Sequence, residues 1–182
     1  MLSRERSLFG RLLDLPMTGL ADRAAVDAVM GTHVLPALAA GRRPWLAGIS
    51  LGAWLALLLA SRHAREVAGL ALFSPWLGTR ELQREFAAAG GLTAWLRGPT
   101  APPSSTPSPG SLDEERAAWR FLAAPGALPV WMGYGDADRF RDAQSLAATV
   151  LPSERVYVAR GGAHDWRCWA DIWEHFLRWL PP

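Results

Sequence analysis

Residues 67–73, Val-Ala-Gly-Leu-Ala-Leu-Phe, form an apolar run with no alternation between apolar and polar positions. A strand with one face in water alternates. A strand that does not is covered on both faces, as in the interior of a parallel sheet. Apolar segments at 8–15, 45–49, 128–133 and 155–159 extend the pattern. Helical spacing separates them. Asp22 can cap a helix running to about Ala40, with Gly41 suited to its C-terminal end. Residues 51–62 form a helix whose Gly52, Ala53, Ala56 and Ala60 allow close packing, and 142–151 form another. Trp169, Ile172, Trp173, Phe176 and Leu180 recur at spacings of three and four, the stripe of an amphipathic helix. The expected fold is α/β: a mostly parallel sheet of about five strands with helices on both faces.

Composition agrees with one globular domain spanning residues 1–182. Half the residues are hydrophobic and 20% charged, enough apolar material for a core and too little charge for a disordered chain. The longest apolar stretch, 51–60, is too short to span a bilayer, and the charges near Met1 do not suit a signal peptide. A soluble, cytoplasmic protein is expected.

One region interrupts the rhythm. The strands ending at Phe73 and beginning at Leu128 are too far apart for a plain crossover. The intervening chain has a helical pattern (Leu82, Phe86, Trp95) broken at Gly90-Gly91, then a Pro/Ser/Thr-rich stretch over 99–110, then a helix over 112–123. Residues 77–126 are therefore the candidate cap or lid.

Two absences restrict the chemistry. There is no Lys and no Asn, and all 19 basic residues are Arg. Schiff-base lysine chemistry and a Walker phosphate loop are excluded by the first, N-glycosylation and a Cys-His-Asn triad by the second. Net charge is +2, and Arg80, Glu81, Arg84 and Glu85 intermix the two signs. Such a surface is solvated and mixed, so no nucleic-acid partner is expected. The lone Cys168 can form no internal disulfide and reads as a small buried residue. No H-E-x-x-H cluster and no G-x-G-x-x-G after a strand is present, so neither a metal nor a dinucleotide cofactor is expected.

The segment Gly48-Ile49-Ser50-Leu51-Gly52 is G-x-S-x-G at a strand-to-helix junction, an elbow between the 45–49 strand and the helix after it. A reversal this tight needs glycine beside the serine, and it lifts the hydroxyl above the sheet at a helix N-terminus. There the Leu51 N–H can meet a developing oxyanion. Serine needs a base to become a nucleophile. Of the four histidines, His33 and His63 lie within or just after helices, and His175 sits one turn after Asp171 as an i,i+4 partner. His164, in Gly161-Gly162-Ala163-His164-Asp165 directly after the last strand, is the favoured base. Two acids compete to orient it, Asp136 and Asp138, both at the end of the 128–133 strand. Asp138 is preferred, with Asp136 as its turn-forming neighbour. Asp165 suits the cap of the last helix.

The order Ser50, Asp138, His164 is the order of the α/β-hydrolases. With Asp14-Leu15-Pro16, Gly135-x-x-Asp138 and Gly161-Gly162-x-His164, the chain resembles a compact esterase or thioesterase of that superfamily from about Leu8 onward. The resemblance implies Ser50 as nucleophile, His164 as base, Asp138 as its partner, the Leu51 amide as an oxyanion donor and a cap above the site. The implied substrate is a small ester or thioester, cleaved through an acyl-enzyme. One departure stands out. In the family a strand with an H-G loop precedes the D-L-P strand and supplies a second oxyanion donor, whereas here only Met1 to Ser7 precede it. Either the reading frame starts upstream or the first strand pairs with the elbow strand. Met17 and Thr18 replace the family's small residues after Pro16 and are candidates to line the site. Trp76, Phe86, Leu92, Trp95 and Leu96 fit an apolar acyl pocket or plain core packing equally well. The rival to a hydrolase is a catalytically weak or inactive binding protein of the same fold, and the fold also supports lyases and acyltransferases.

Overall fold

A computed structural model describes residues 10–13, 23–99 and 112–180. Its elements are α1 (Arg23–Val29), α2 (Leu35–Ala39), β1 (Trp45–Ile49), α3 (Leu51–Arg62), β2 (Gly69–Phe73), α4 (Arg80–Ala88), α5 (Leu92–Arg97), α6 (Leu112–Ala123), β3 (Val130–Gly135), α7 (Arg141–Ala148), β4 (Val156–Ala159) and α8 (Trp166–Trp179). A π-helical turn, Met30–Val34, joins α1 to α2. Leu35 N–H bonds Met30 O there, one residue ahead of Pro36, which has no N–H to continue an α-helical ladder. α2 ends at Gly41, whose φ is +71°. Gly41 N–H reaches Leu38 O at 2.8 Å and Arg42 N–H reaches Ala37 O at 2.9 Å, the paired bonds of a glycine helix stop.

The four strands are parallel and lie in the order β1-β2-β3-β4. The uninterrupted apolar run has its expected cause: every residue of β2 is buried. Leu70 and Leu72 join the core beneath α3, while Ala71 and Phe73 join the core beneath α8. In β3, Val130 and Met132 point to the α3 side and Trp131 to the α8 side.

Of the ten tryptophans, four belong to the core on the α3 side and four to the core on the α8 side. Trp45, Trp131, Trp169 and Trp179 pack there with Phe73, Phe176 and Ile172. Among the described residues α8 alone covers this face, and wide aromatic rings let one helix do so. Gly133 sets how near α8 can come, since a Cβ on it would lie 2.4 Å from Ile172 Cγ2. Among the described residues, no helix is long and apolar enough to cross a membrane.

Four strands stand where the sequence predicts about five. Of the expected strand at 8–15, residues 10–13 belong to no regular element and the rest lie outside the described residues, as do Asp22 and 100–110 of the Pro/Ser/Thr-rich stretch. An apolar run becomes a strand only where a neighbour offers a ladder. β1, the elbow strand, pairs with β2, and among the described residues no strand pairs with its other edge. Ala47, in the middle of β1, is exposed.

The excursion between β2 and β3 contains α4, α5 and α6, and these helices join the main core. The indole N–H of fully buried Trp119 donates to Leu77 O at 2.9 Å. Glu115, also buried, accepts the N–H and hydroxyl of Thr79 at 2.9 and 2.8 Å. On the surface, Arg116 bridges Glu85 and Asp113.

Candidate active site

The parallel strands all point their C-terminal ends to one edge, and three loops meet there. The first is the elbow. Ser50 leaves β1 with φ +55° and ψ −117°, a conformation costing about 1–3 kcal/mol unless neighbours hold it. They do. Ser50 N–H donates to Phe73 O at 3.0 Å, and Ser50 O accepts the N–H groups of Ala53, Trp54 and Trp76 at 3.1, 3.2 and 3.2 Å. The two elbow glycines differ. A Cβ on Gly48 would lie 2.3 Å from Gly52 O, so no larger residue fits, whereas a Cβ on Gly52 would meet nothing within 4 Å. The requirement for glycine thus falls on Gly48 alone, because Gly52 contributes a carbonyl to the crossing and turns its own Cα outward. Leu51 is the first residue of α3, where an N–H has no acceptor within the helix.

The second and third loops are fastened together. Asp136 N–H donates to Ala159 O at 3.1 Å, Ala137 N–H to Gly162 O at 3.0 Å, and Gly161 N–H to the Asp136 carboxylate at 2.7 Å. A Cβ on Gly135 would fall 1.9 Å from Gly162 O, so glycine is required for this approach. The G-D-A-D and G-G-A-H segments are two halves of one clasp.

That clasp sets Asp138 against His164. Asp138 Oδ2 lies 2.8 Å from His164 Nδ1, and Asp138 Oδ1 accepts the Phe140 N–H at 2.8 Å. His164 Nε2 lies 3.0 Å from Ser50 Oγ. In the tautomer with its proton on Nδ1, the imidazole donates to the Asp138 carboxylate and leaves Nε2 to accept the serine O–H. The Asp138 side chain is fully buried and that of His164 is 8% exposed, which strengthens both bonds by excluding water. Asp136, the competing acid, is committed to Gly161. Asp165 caps α8, its Oδ1 accepting the Cys168 N–H at 2.9 Å. Cys168 is buried, and burial, followed by the nearby Asp165 carboxylate, pushes its thiol up to about 11. His175 bonds Asp171 O at 2.9 Å and stacks on Tyr157 at 3.6 Å, away from the serine's partners.

The apolar candidates separate. Trp76 is half-buried, its main chain on Ser50 and its ring perpendicular to Trp54 at 5.2 Å. Phe86 and Trp95 are buried, packed on each other at 4.8 Å with Phe86 also against Trp119 at 5.0 Å. With Leu92 they belong to the main core. Met17, Thr18 and the Asp14-Leu15-Pro16 turn lie outside the described residues. Among the described residues, no group of three or more His, Cys, Asp or Glu side chains is placed to hold a metal ion.

Sequence reasoning missed Gln144. It is fully buried on α7, and its Nε2 donates to Pro75 O at 3.1 Å, tying the acid's side of the site to the turn that holds the elbow. Its neighbours give no periodic signal for a buried amide. Phe140 and Trp169 were also missed as neighbours of the imidazole. Phe140 stands two residues after Asp138, and that adjacency was the available clue.

No protein-family model and no curated protein sequence matches the chain. Solved structures do resemble it. Monoacylglycerol lipase from Paleococcus ferrophilus superposes with a TM-score of 0.55 at 16% identity, over 85% of this chain and 74% of the lipase. E-2-(Acetamidomethylene)succinate hydrolase gives 0.53 at 18% identity, over 91% of this chain and 75% of that one. With a bacterial membrane phospholipase A the TM-score is 0.48 at 21% identity, and the chain spans 62% of that protein's length. Taken with the parallel sheet and the strand-to-helix turn at Ser50, the likenesses to the lipase and the succinate hydrolase show an α/β-hydrolase-like fold.

Proposed function

We propose that the chain is a serine hydrolase of carboxylic esters or thioesters. The observation that carries this reading is the continuous hydrogen-bonded line from Ser50 Oγ through His164 to Asp138, at 3.0 and 2.8 Å. In this mechanism His164 Nε2 takes the Ser50 proton as Oγ attacks the carbonyl carbon. The oxyanion meets the Leu51 N–H. His164 then gives the proton to the leaving alcohol or thiol, and an acyl-Ser50 remains. Water, deprotonated by the same nitrogen, releases the acid. Asp138 keeps Nδ1 protonated and stabilises the imidazolium.

The segment 77–126 is proposed as the cap of this site, anchored through α6 to α3. Trp76 is the aromatic residue best placed to border the substrate, since its main chain is bonded to Ser50 itself. The alternative, an inactive binding protein, is favoured by one observation. Among the described residues no strand pairs with the outer edge of β1, where the strand that supplies a second oxyanion donor would lie, and loss of a donor costs roughly 10²–10³ in kcat. Hydrolysis of short-chain p-nitrophenyl esters and acyl thioesters tests the proposal. Ser50→Ala and His164→Ala are expected to reduce turnover to background. Undiminished turnover in Ser50→Ala contradicts the assignment, and a wild-type protein inert to every ester and thioester favours the binding protein.

A further inference from the structure

His164 is flanked by two aromatic rings that no catalytic role accounts for. Phe140 lies 5.1 Å from the imidazole, centroid to centroid, at 90°, and Trp169 lies 5.2 Å from it at 89°. Perpendicular rings at about 5 Å are in van der Waals contact. Hydrogen bonds at Nδ1 and Nε2 fix the imidazole only while both hold, because the side chain turns softly about its Cβ–Cγ bond. Turning it would swing Nδ1 away from Asp138 and Nε2 away from Ser50 together. Both rings stand perpendicular to the imidazole at contact distance, so a turn of it must push against them.

Each ring is itself held. The guanidinium of Arg139 lies over Phe140 at 4.8 Å, and Trp169 is perpendicular to Trp166 at 5.1 Å. Phe140 acts on both partners of the pair: its N–H fixes Asp138 Oδ1 and its ring abuts His164. Trp169 comes from α8, whose first turn is set by the Asp165 cap directly after His164. Acid, base and both rings are thus positioned by two short segments, 138–140 and 164–169.

We infer that Phe140 and Trp169 are positioning residues that lock the His164 ring in the one rotation serving Asp138 and Ser50 at once. The inference rests on the hydrolase reading for its kinetic consequence but not for its structural one. A histidine Nδ1–H held to a buried carboxylate gives a proton resonance far downfield of the amides, visible in the free protein without substrate. The wild type is expected to show it. Phe140→Leu and Trp169→Leu should each broaden or abolish it, while Phe140→Tyr and Trp169→Phe retain it. With an ester substrate, each leucine variant should lose about tenfold to a hundredfold in kcat with KM changed less than about twofold, as for a reacting group displaced by a fraction of an ångström.

Circular dichroism confirms that each variant is folded. If a leucine variant is not, Phe140→Met and Trp169→Met, of comparable bulk but flexible, take its place. A resonance absent from the wild type, or intact in both leucine variants, overturns the inference. So does unchanged kcat in both. A wild type inert to all esters whose resonance nevertheless disappears in the leucine variants would refute the hydrolase reading and leave the positioning role standing.

Discussion

The carboxylate of Asp136 accepts the N–H of Gly161 at 2.7 Å, joining the loop that carries Asp138 to the loop that carries His164. Neither residue touches Ser50. By fixing the spacing of the two loops, this remote bond helps hold the 2.8 Å contact between Asp138 and His164. Asp136→Ala is expected to lose about 1 kcal/mol in stability, since the exposed N–H can turn to water. Its loss in kcat should be larger, about tenfold, with KM little affected. Chemical denaturation and steady-state kinetics on one preparation separate the two effects.

The elbow glycines give an unequal pair. Gly48→Ala drives a methyl into the Gly52 carbonyl and is expected to cost about 1–3 kcal/mol or more, with loss of folded yield. Gly52→Ala places its methyl in open space on a helix, where alanine is better than glycine by up to about 1 kcal/mol. Melting temperatures should therefore move in opposite directions.

This asymmetry shows what sequence could and could not convey. The pattern G-x-S-x-G marks the junction of β1 and α3 to the residue, because a local spacing specifies a local turn. It does not say which glycine is crowded, since that depends on how the turn crosses itself. The meeting of Ser50, Asp138 and His164 was legible because each residue follows a strand-like run, and all C-terminal strand ends of a parallel sheet meet at one edge. Gly41 was legible as a helix stop for the same local reason. Phe86 and Trp95 were ambiguous since a helical stripe facing a core and one facing a ligand look alike. Within the expected strand at 8–15, the described residues 10–13 belong to no regular element, because apolar character alone does not supply a ladder partner. Gln144, Phe140 and Trp169 act through contacts between segments far apart in sequence or through ring geometry, and no spacing rule encodes either.

Gln144→Leu should lower the urea midpoint by the equivalent of about 1–3 kcal/mol, because it strands the Pro75 carbonyl in a dry interior. Gln144→Glu should lower it further, by replacing the amide donor with a buried carboxylate.

Two weakened acids set the alkaline behaviour. Burial first, then the bond to Asp171, pushes Tyr157 from 10.0 to about 12, and burial pushes Cys168 from 9.0 to about 11. Both groups are held neutral by folding. Their contribution is complete below about pH 9 and is lost as pH rises through about 11 to 12. Stability measured against pH should therefore fall over that window, and Cys168→Ala should shallow the fall. At pH 7.5 the native thiol should resist iodoacetamide and react only on unfolding.

The most direct test of the central claim is covalent. A fluorophosphonate reacts with a serine hydroxyl only where a base has activated it, so intact-mass and peptide mass spectrometry after exposure of the wild-type chain read the site itself. The account predicts a single adduct on Ser50, absent from Ser50→Ala and strongly slowed in His164→Ala and Asp138→Asn. A folded wild-type protein that takes up no label, or one labelled equally after Ser50→Ala, would contradict it.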